Sequence, residues 1–173
     1  MSNHIDRSSM ELCERSLPTS RAAENNPSDE LEINVLFTDH QGTLGALRTA
    51  GTLAHQLGAH INLLVPRVVP YALPLASPPV SIQFTERRLL DLAHREAHGS
   101  MVISVQVYLC RNRRLCLLEA LKPQSLVVVG GRVRWWPTKE TKLARTLQFA
   151  GHQVIFAGLE RGTMVHFARE SDN

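Results

Sequence analysis

The chain has 173 residues, a formal net charge of +3 and 43% apolar residues, which suits one ordinary domain with a sizeable core. So small a charge does not by itself indicate a nucleic-acid-binding protein, and we expect no nucleic-acid partner. No run approaches the roughly 20 apolar residues of a membrane span, and the N-terminus lacks the apolar stretch of a signal peptide. We therefore expect a soluble, cytoplasmic protein without a membrane partner.

The cysteines, Cys13, Cys110 and Cys116, form no CxxC pair and have no zinc-site spacing. In a chain without a secretory signal, this pattern favours reduced thiols over a disulfide framework. No metal site and no catalytic nucleophile is predicted, because the sequence contains no HExxH motif and no nucleophile elbow.

Residues 1–30 are polar and lack periodicity, so we expect a disordered N-terminal tail before a domain at 31–158. A short helical turn near residues 12–17 is the alternative. The first half of the domain is predicted to run strand, helix, strand, loop and helix, over residues 33–38, 44–57, 60–65, 66–79 and 81–98. The loop holds five of the nine prolines, which disfavours regular structure there.

The second half of the domain is predicted to run strand, helix, strand, helix and strand, over residues 101–109, 113–122, 125–129, 138–150 and 152–157. The alternating pattern of the strand at 101–109 indicates an edge position, whereas the apolar strand at 125–129 should be central. Thr138 is a plausible N-cap of the last helix. Residues 159–173 form a C-terminal extension, which either adds a short strand at 164–167 or has no regular structure.

Alternating strands and helices indicate an α/β three-layer sandwich with a parallel sheet and right-handed crossovers. Ligands of such sheets bind at the carboxyl ends of the strands, where the strand order reverses. For five strands in the order 3-2-1-4-5, that point lies between the first and fourth strands. The sequence therefore predicts a ligand crevice beside Asp39 and Gly130.

The order and spacing of these elements resemble the universal stress protein family over residues 32–157. The resemblance is carried by the proline-rich loop after the second strand, the Leu117–Ala120 helix segment and the Ser125–Gly130 strand. It implies the adenine nucleotide alpha hydrolase-like fold, with ATP or another adenine nucleotide as the ligand. It also implies that Asp39 contacts the base region and that the backbone near Val65 contacts the base.

The family's phosphate motif, G-x2-G-x9-G-[S/T], is only partly present. Gly130 matches the first glycine, but Val133 stands at the second, and Glu140–Thr141 stand at the closing pair. Thr141 supplies a hydroxyl, whereas Glu140 removes a glycine and adds a negative charge near the phosphates. We therefore expect a non-enzymatic stress-response or regulatory protein that lacks the usual ATP geometry and acts through ligand sensing or protein association.

Two alternatives stay open for the crevice residues. Asp39 either orients a ligand or caps the following helix. Gly130 and Gly131 either contact a ligand or allow a tight turn. A weak nucleotide hydrolase that uses Asp39 and Glu140 in the same crevice is the competing function.

Arginines also follow the third and fourth predicted strands: Arg111, Arg113, Arg132 and Arg134. They are either an anion site, of which Arg132 and Arg134 are the candidate ligands, or solvated surface charge. Trp135–Trp136 either stack on a base or partner, or anchor the loop. The last strand has an apolar edge, formed by Gln153, Val154, Ile155 and Phe156, that predicts a homodimer. A regulatory protein is a further possible partner.

Overall fold

The computed structural model describes residues 13–15, 31–75, 81–97, 102–132, 137–159 and 164–166. The strands are β1 (Cys13–Arg15), β2 (Glu32–Leu36), β3 (His60–Val68), β4 (Ile103–Cys110), β5 (Leu126–Arg132), β6 (Gln153–Leu159) and β7 (Met164–His166). The helices are α1 (His40–Leu57), α2 (Ile82–Glu96), α3 (Arg113–Ala120) and α4 (Lys139–Phe149). None of these helices is long and apolar enough to cross a membrane.

The strands form one sheet in the order β1-β4-β3-β2-β5-β6-β7. Its five central strands are all parallel, so the predicted order 3-2-1-4-5 is confirmed. Successive residues of β2 point to opposite faces, as they must in a strand. Ile33 and Val35 pack with α1 and α2, whereas Leu36 packs with α3 and α4. The three-layer α/β architecture is therefore confirmed as well.

The proline-rich loop begins later than the sequence predicts, because β3 continues through Pro66 to Val68. Phe37 N donates to Leu64 O (2.9 Å) and Val69 N donates to Cys110 O (2.9 Å), so even-numbered residues of β3 face β2 and odd-numbered ones face β4. The ring nitrogen of Pro66 thus points past the carboxyl end of β2. Proline fits there because no ladder hydrogen bond from its nitrogen is needed.

Short antiparallel strands pair with both edges of the parallel sheet. Cys13–Arg15 pair with Tyr108–Cys110 of β4, and Met164–His166 pair with Ala157–Leu159 of β6. Residues 13–15, which form the first of these strands, belong to the segment 1–30 that was expected to be a tail. An edge strand such as β4 exposes backbone groups that can template a further strand, and β1 pairs with them here. At the other edge, Met164–His166 form a short strand, which was one of the two alternatives for the C-terminal extension.

Candidate functional site

Asp39 is the N-cap of α1, and its carboxylate bonds to the helix. Its Oδ1 accepts a hydrogen bond from Gly42 N at 2.8 Å. Its carbonyl accepts from the hydroxyl of Thr43 at 2.7 Å, and that hydroxyl in turn accepts from Thr38 N at 3.1 Å. The structure thus gives Asp39 the capping role, and this cap is why α1 begins at His40 rather than at the predicted Leu44.

Replacing Asp39 with alanine should lower the free energy of unfolding by about 1 kcal/mol, the usual effect of losing an N-cap. The matched control is Ser81→Ala at the N-cap of α2. There the Oγ–N distance to Phe84 is 3.5 Å and the bond is exposed, so a smaller loss is expected. Urea unfolding of both variants measures the difference, and equal losses would contradict the ranking.

Gly130 is in direct backbone contact with the first turn of α1. A Cβ added to Gly130 would lie 1.8 Å from the carbonyl oxygen of Gly42, and a Cβ added to Gly42 would lie 2.7 Å from that of Gly130. The hydroxyl of Thr38 donates to Gly130 O at 2.8 Å. Gly130 therefore allows helix α1 to rest on β5 without a side chain between them, and the base of the predicted crevice is closed.

The first turn of α4 packs closely on Gly131, and Thr141 in that turn is hydrogen-bonded to its N-cap. A Cβ added to Gly131 would lie 2.9 Å from Glu140 Cβ. Thr141 N donates to the hydroxyl of Thr138 at 3.2 Å, and the two threonine hydroxyls lie 3.1 Å apart. Thr138 is the N-cap of α4, as predicted. Gly130 and Gly131 are therefore both packed against helices of the protein itself. A phosphate cradle would need the space beside them to be open for the ligand.

Arg113 reaches from α3 to the carboxyl end of β2, where its guanidinium donates to Phe37 O. That carbonyl is on the side of β2 that faces Pro66, which has no N–H to offer it. Burial lowers the pKa of Arg113, and the negative charge of Glu140 opposes that shift. Arg113 is therefore neither an open anion ligand nor a solvated surface charge, but a donor that completes the edge of the sheet.

Arg111 fixes the segment after β3. Its guanidinium donates to Val69 O and Leu73 O, both at 2.9 Å, and lies 5.1 Å from the ring centroid of Tyr71. The guanidinium of Arg111, like that of Arg113, is therefore hydrogen-bonded to backbone carbonyls of the protein. Arg132 is exposed at the end of β5. Arg134 and Trp135–Trp136, like Val133, lie outside the described residues.

A pocket of ≈ 360 Å³ lies between the carboxyl ends of β2 and β3 and the first half of α2. It is lined by Phe37, Val65, Pro66, Arg67, Phe84, Thr85, Arg88 and Leu89. Of the predicted site residues that the structure describes, only Val65 lines it. The backbone of Val65 faces β4 in the ladder, so its side chain is what meets the pocket. Phe84 is 62% exposed and marks the open mouth.

Two cations give this apolar pocket a preference for anions. Arg67 Nη1 donates to the hydroxyl of Thr85 at 3.1 Å, and that hydroxyl donates to Ser81 O at 3.1 Å, so the guanidinium is oriented. Arg88 is exposed and lies about one helical turn after Thr85 on α2. Within the described ranges, neither arginine forms an ion pair with a carboxylate. The arrangement suits a compact ligand with an apolar body and one anionic group.

Pro66 lines the pocket, and its backbone carbonyl can serve as an acceptor for a ligand there. The carbonyl of Pro66 points to the side of β3 that pairs with β2, but β2 ends at Leu36 and does not extend that far. Among the described residues no backbone donor reaches it. A hydrogen-bond acceptor at the pocket wall can therefore receive an amino group of a ligand.

Sequence reasoning missed most of this pocket, although one signal was present. Phe84, Thr85, Arg88 and Leu89 follow an i, i+1, i+4, i+5 spacing, which places them on one face of a helix. Arg67 gave no such signal, because it was assigned to a loop. Across the described part of the chain, no group of three or more His, Cys, Asp or Glu side chains is placed to hold a metal ion.

A scan against models of known protein families finds no match for the chain, and a search of curated proteins finds none either.

Proposed function

We propose that this protein is a non-enzymatic, universal stress protein-like sensor that binds an adenine mononucleotide in the β3–α2 pocket. The observation that carries the proposal is the pocket itself, which combines apolar walls with two arginines that have no carboxylate partner among the described residues. The strand order 3-2-1-4-5 supports it, because the family that the sequence resembles has this sheet.

The pocket's lining suggests how such a ligand would bind. The base would lie against Phe37, Val65 and Leu89, and its amino group would donate to the carbonyl of Pro66. The phosphate would meet Arg67 and Arg88, whose guanidinium groups match phosphate oxygens in pairs. In this arrangement the base would bind at the carboxyl end of β3 and not at the switch point beside Gly130.

The pocket's size favours one phosphate over three. Its volume of ≈ 360 Å³ lies near the lower end of the roughly 300–1,000 Å³ that ligand pockets span. A triphosphate would also need backbone donors of the glycine-loop kind, and Gly130 and Gly131 are both occupied by packing. AMP and cyclic AMP are therefore the proposed ligand class, ahead of ATP.

Isothermal titration calorimetry of the full chain with AMP, cyclic AMP, ADP and ATP tests the proposal. We expect one AMP or cyclic AMP per chain, with weaker binding of ADP and ATP. Adenosine should bind more weakly than AMP, since it lacks the phosphate. If none of the five ligands produces heat, or if ATP binds most tightly, the proposal is wrong.

A weak hydrolase in the Asp39–Gly130 crevice has less support. The Asp39 carboxylate accepts a hydrogen bond from Gly42 N, and Gly130 touches the same turn of α1. Glu140, the second candidate carboxylate, packs on Gly131. The Asp39 carboxylate therefore caps α1, and the side chain of Glu140 packs against β5 at Gly131.

Self-association through Gln153, Val154, Ile155 and Phe156 stays a prediction. The apolar character of this segment has another explanation, because Ile155 packs into the α1–α2 core, while Val154 and Phe156 pack into the α3–α4 core. β7 pairs only with Ala157–Leu159, farther along β6. An additional strand could thus still pair with the first half of β6.

A further inference from the structure

The solvent-facing side of α4 carries cations and an aromatic ring, and we call it the outer face of α4. It consists of four exposed residues: Lys139, Lys142, Arg145 and Phe149. Their spacing of three, three and four residues places them on one side of a helix. Ala144 and Leu147, on the opposite side, are buried in the α3–α4 core. The phenyl ring of Phe149 is 92% exposed, so the fold itself does not use it.

The positive charge of the outer face is not neutralised by acidic side chains of the described residues. Glu140, in the same helix, packs against Gly131 of β5. The ion pairs within the described ranges are formed by Glu96 and Glu32, and none of them includes a cation of α4. The outer face therefore presents uncompensated positive charge to the solvent.

This arrangement is unfavourable for α4 when only water lies beside it. Cations three residues apart on a helix repel each other. Lys139 and Lys142 also lie near the N-terminus of α4, where the helix dipole disfavours positive charge. The exposed ring of Phe149 forgoes the stabilisation that burial would give it. All three features become favourable beside a surface that is anionic and also accepts an apolar group.

Helix α3 extends the same surface. It packs on β3 and β4, while α4 packs on β5 and β6, and both helices cover the α3–α4 core on one face of the sheet. Arg114 and Leu115 are exposed on α3, together with one carboxylate, Glu119. The exposed side chains of α3 and α4 thus combine an excess of cations with two apolar groups, Leu115 and Phe149. We call this surface the α3–α4 face.

We propose that the α3–α4 face binds the surface of an anionic lipid bilayer, with Phe149 inserted among the headgroups. Anionic headgroups attract lysine and arginine near the membrane surface, and an aromatic ring adds apolar contact at the interface. The expectation of no membrane partner rested on the lack of a membrane-spanning run. A helix that lies on the membrane surface needs no such run.

The chemistry of the outer face favours lipid over a protein or a nucleic acid. Lysine is depleted in protein–protein interfaces, but Lys142 lies in the middle of this face. Single-stranded nucleic acid binds in basic grooves where successive bases stack on aromatic rings, whereas α4 is a convex ridge with one ring, that of Phe149. A bilayer surface accommodates a convex helix and rewards both its lysines and its phenylalanine.

This membrane contact does not rest on the proposed nucleotide function. The pocket residues Phe37, Val65 and Leu89 belong to the α1–α2 core, on the other face of the sheet. A bilayer against α3 and α4 would therefore not cover α2. Failure of nucleotide binding would leave the membrane contact standing, and failure of membrane binding would leave the pocket unchanged.

Co-sedimentation of the full chain with lipid vesicles tests the proposal. We expect binding to phosphatidylglycerol vesicles that weakens as salt is added, and no binding to phosphatidylcholine vesicles. Lys142→Gln and Arg145→Gln should each weaken binding about fivefold. Phe149→Ser should weaken it about tenfold without changing its salt dependence, whereas Phe149→Leu, which keeps an apolar group, should retain most of the affinity.

A charge-matched control separates the α3–α4 face from general attraction to a basic protein. Arg87→Gln combined with Arg95→Gln removes two exposed cations from α2, on the other face of the sheet. This double variant should bind phosphatidylglycerol vesicles like the wild type, whereas Lys142→Gln combined with Arg145→Gln should not. Urea unfolding should show the α4 double variant to be at least as stable as the wild type, because it loses only repulsion.

Three results would overturn the proposal. The first is equal binding to the two lipids, or binding to neither, and the second is an equal loss of binding in the two double variants. The third is binding of polydeoxythymidine or polyglutamate through Lys142 and Arg145 by a protein that does not bind vesicles. That result would assign the face to a nucleic acid or to an acidic protein.

Discussion

Replacing Gly130 with alanine is expected to lower the free energy of unfolding by about 3 kcal/mol or more, at the upper end of overpacking effects. The new Cβ would lie 1.8 Å from the carbonyl oxygen of Gly42 and 3.1 Å from Ala46 Cβ. The first contact is with backbone, which cannot rotate away as a side chain can. To relieve the clash, α1 must lift off β5, which would also break the Thr38–Gly130 hydrogen bond.

Urea unfolding followed by circular dichroism measures this effect, with Gly58→Asn as the control. Gly58 has φ 63° and no atom within 4 Å of an added Cβ. Asparagine tolerates that left-handed conformation better than other side chains. The control should therefore lose less than about 1 kcal/mol. A Gly130→Ala variant that unfolds at the wild-type urea concentration would contradict the backbone contact.

Replacing Arg67 or Arg88 with glutamine is expected to weaken AMP binding by about 10–100-fold each. Hydrogen bonds to charged groups contribute about 1.5–3 kcal/mol, and each 1.4 kcal/mol corresponds to a tenfold change in affinity. Glutamine at position 67 retains a polar group near Thr85, so the fold should be preserved. Calorimetry of the two single variants and of the double variant measures the losses.

Two controls separate a phosphate contact from a general effect. Arg132→Gln removes a predicted site arginine that does not line the pocket, and its affinity for AMP should equal that of the wild type. Adenosine, which has no phosphate, should bind the Arg67 and Arg88 variants about as well as it binds the wild type. Equal losses for adenosine and AMP would show that the arginines shape the pocket instead of holding the phosphate.

Much of the fold was predictable because it follows from local patterns. Apolar runs bounded by turn residues marked the parallel strands, and Gly58 and Thr138 marked helix ends by their conformational and hydrogen-bonding preferences. The extension of β3 through Pro66 was not predictable. Proline is acceptable there only because β2 ends first, and the relative lengths of neighbouring strands are set by tertiary contacts.

The candidate site was less predictable, because its residues come from two elements and their roles depend on how helices approach the sheet. The switch-point rule correctly placed Asp39 and Gly130 at the carboxyl edge, but it could not show that α1 would contact β5 directly. Arg113 was expected to be either an anion ligand or a surface charge, and neither alternative included its hydrogen bond to the carbonyl of Phe37. Arg67 and Arg88 are far apart in sequence, and only the packing of α2 against β4 and α1 brings them to one pocket.

Amide NMR spectra of isotope-labelled protein locate bound AMP most directly. A nucleotide in the β3–α2 pocket should shift the amide signals of Val65, Arg67 and the α2 residues 84–89. The signals of Gly130, Gly131 and residues 139–141 should change little. Shifts centred instead on Gly130, Gly131 and the start of α4 would contradict the account and return the ligand to the switch-point crevice.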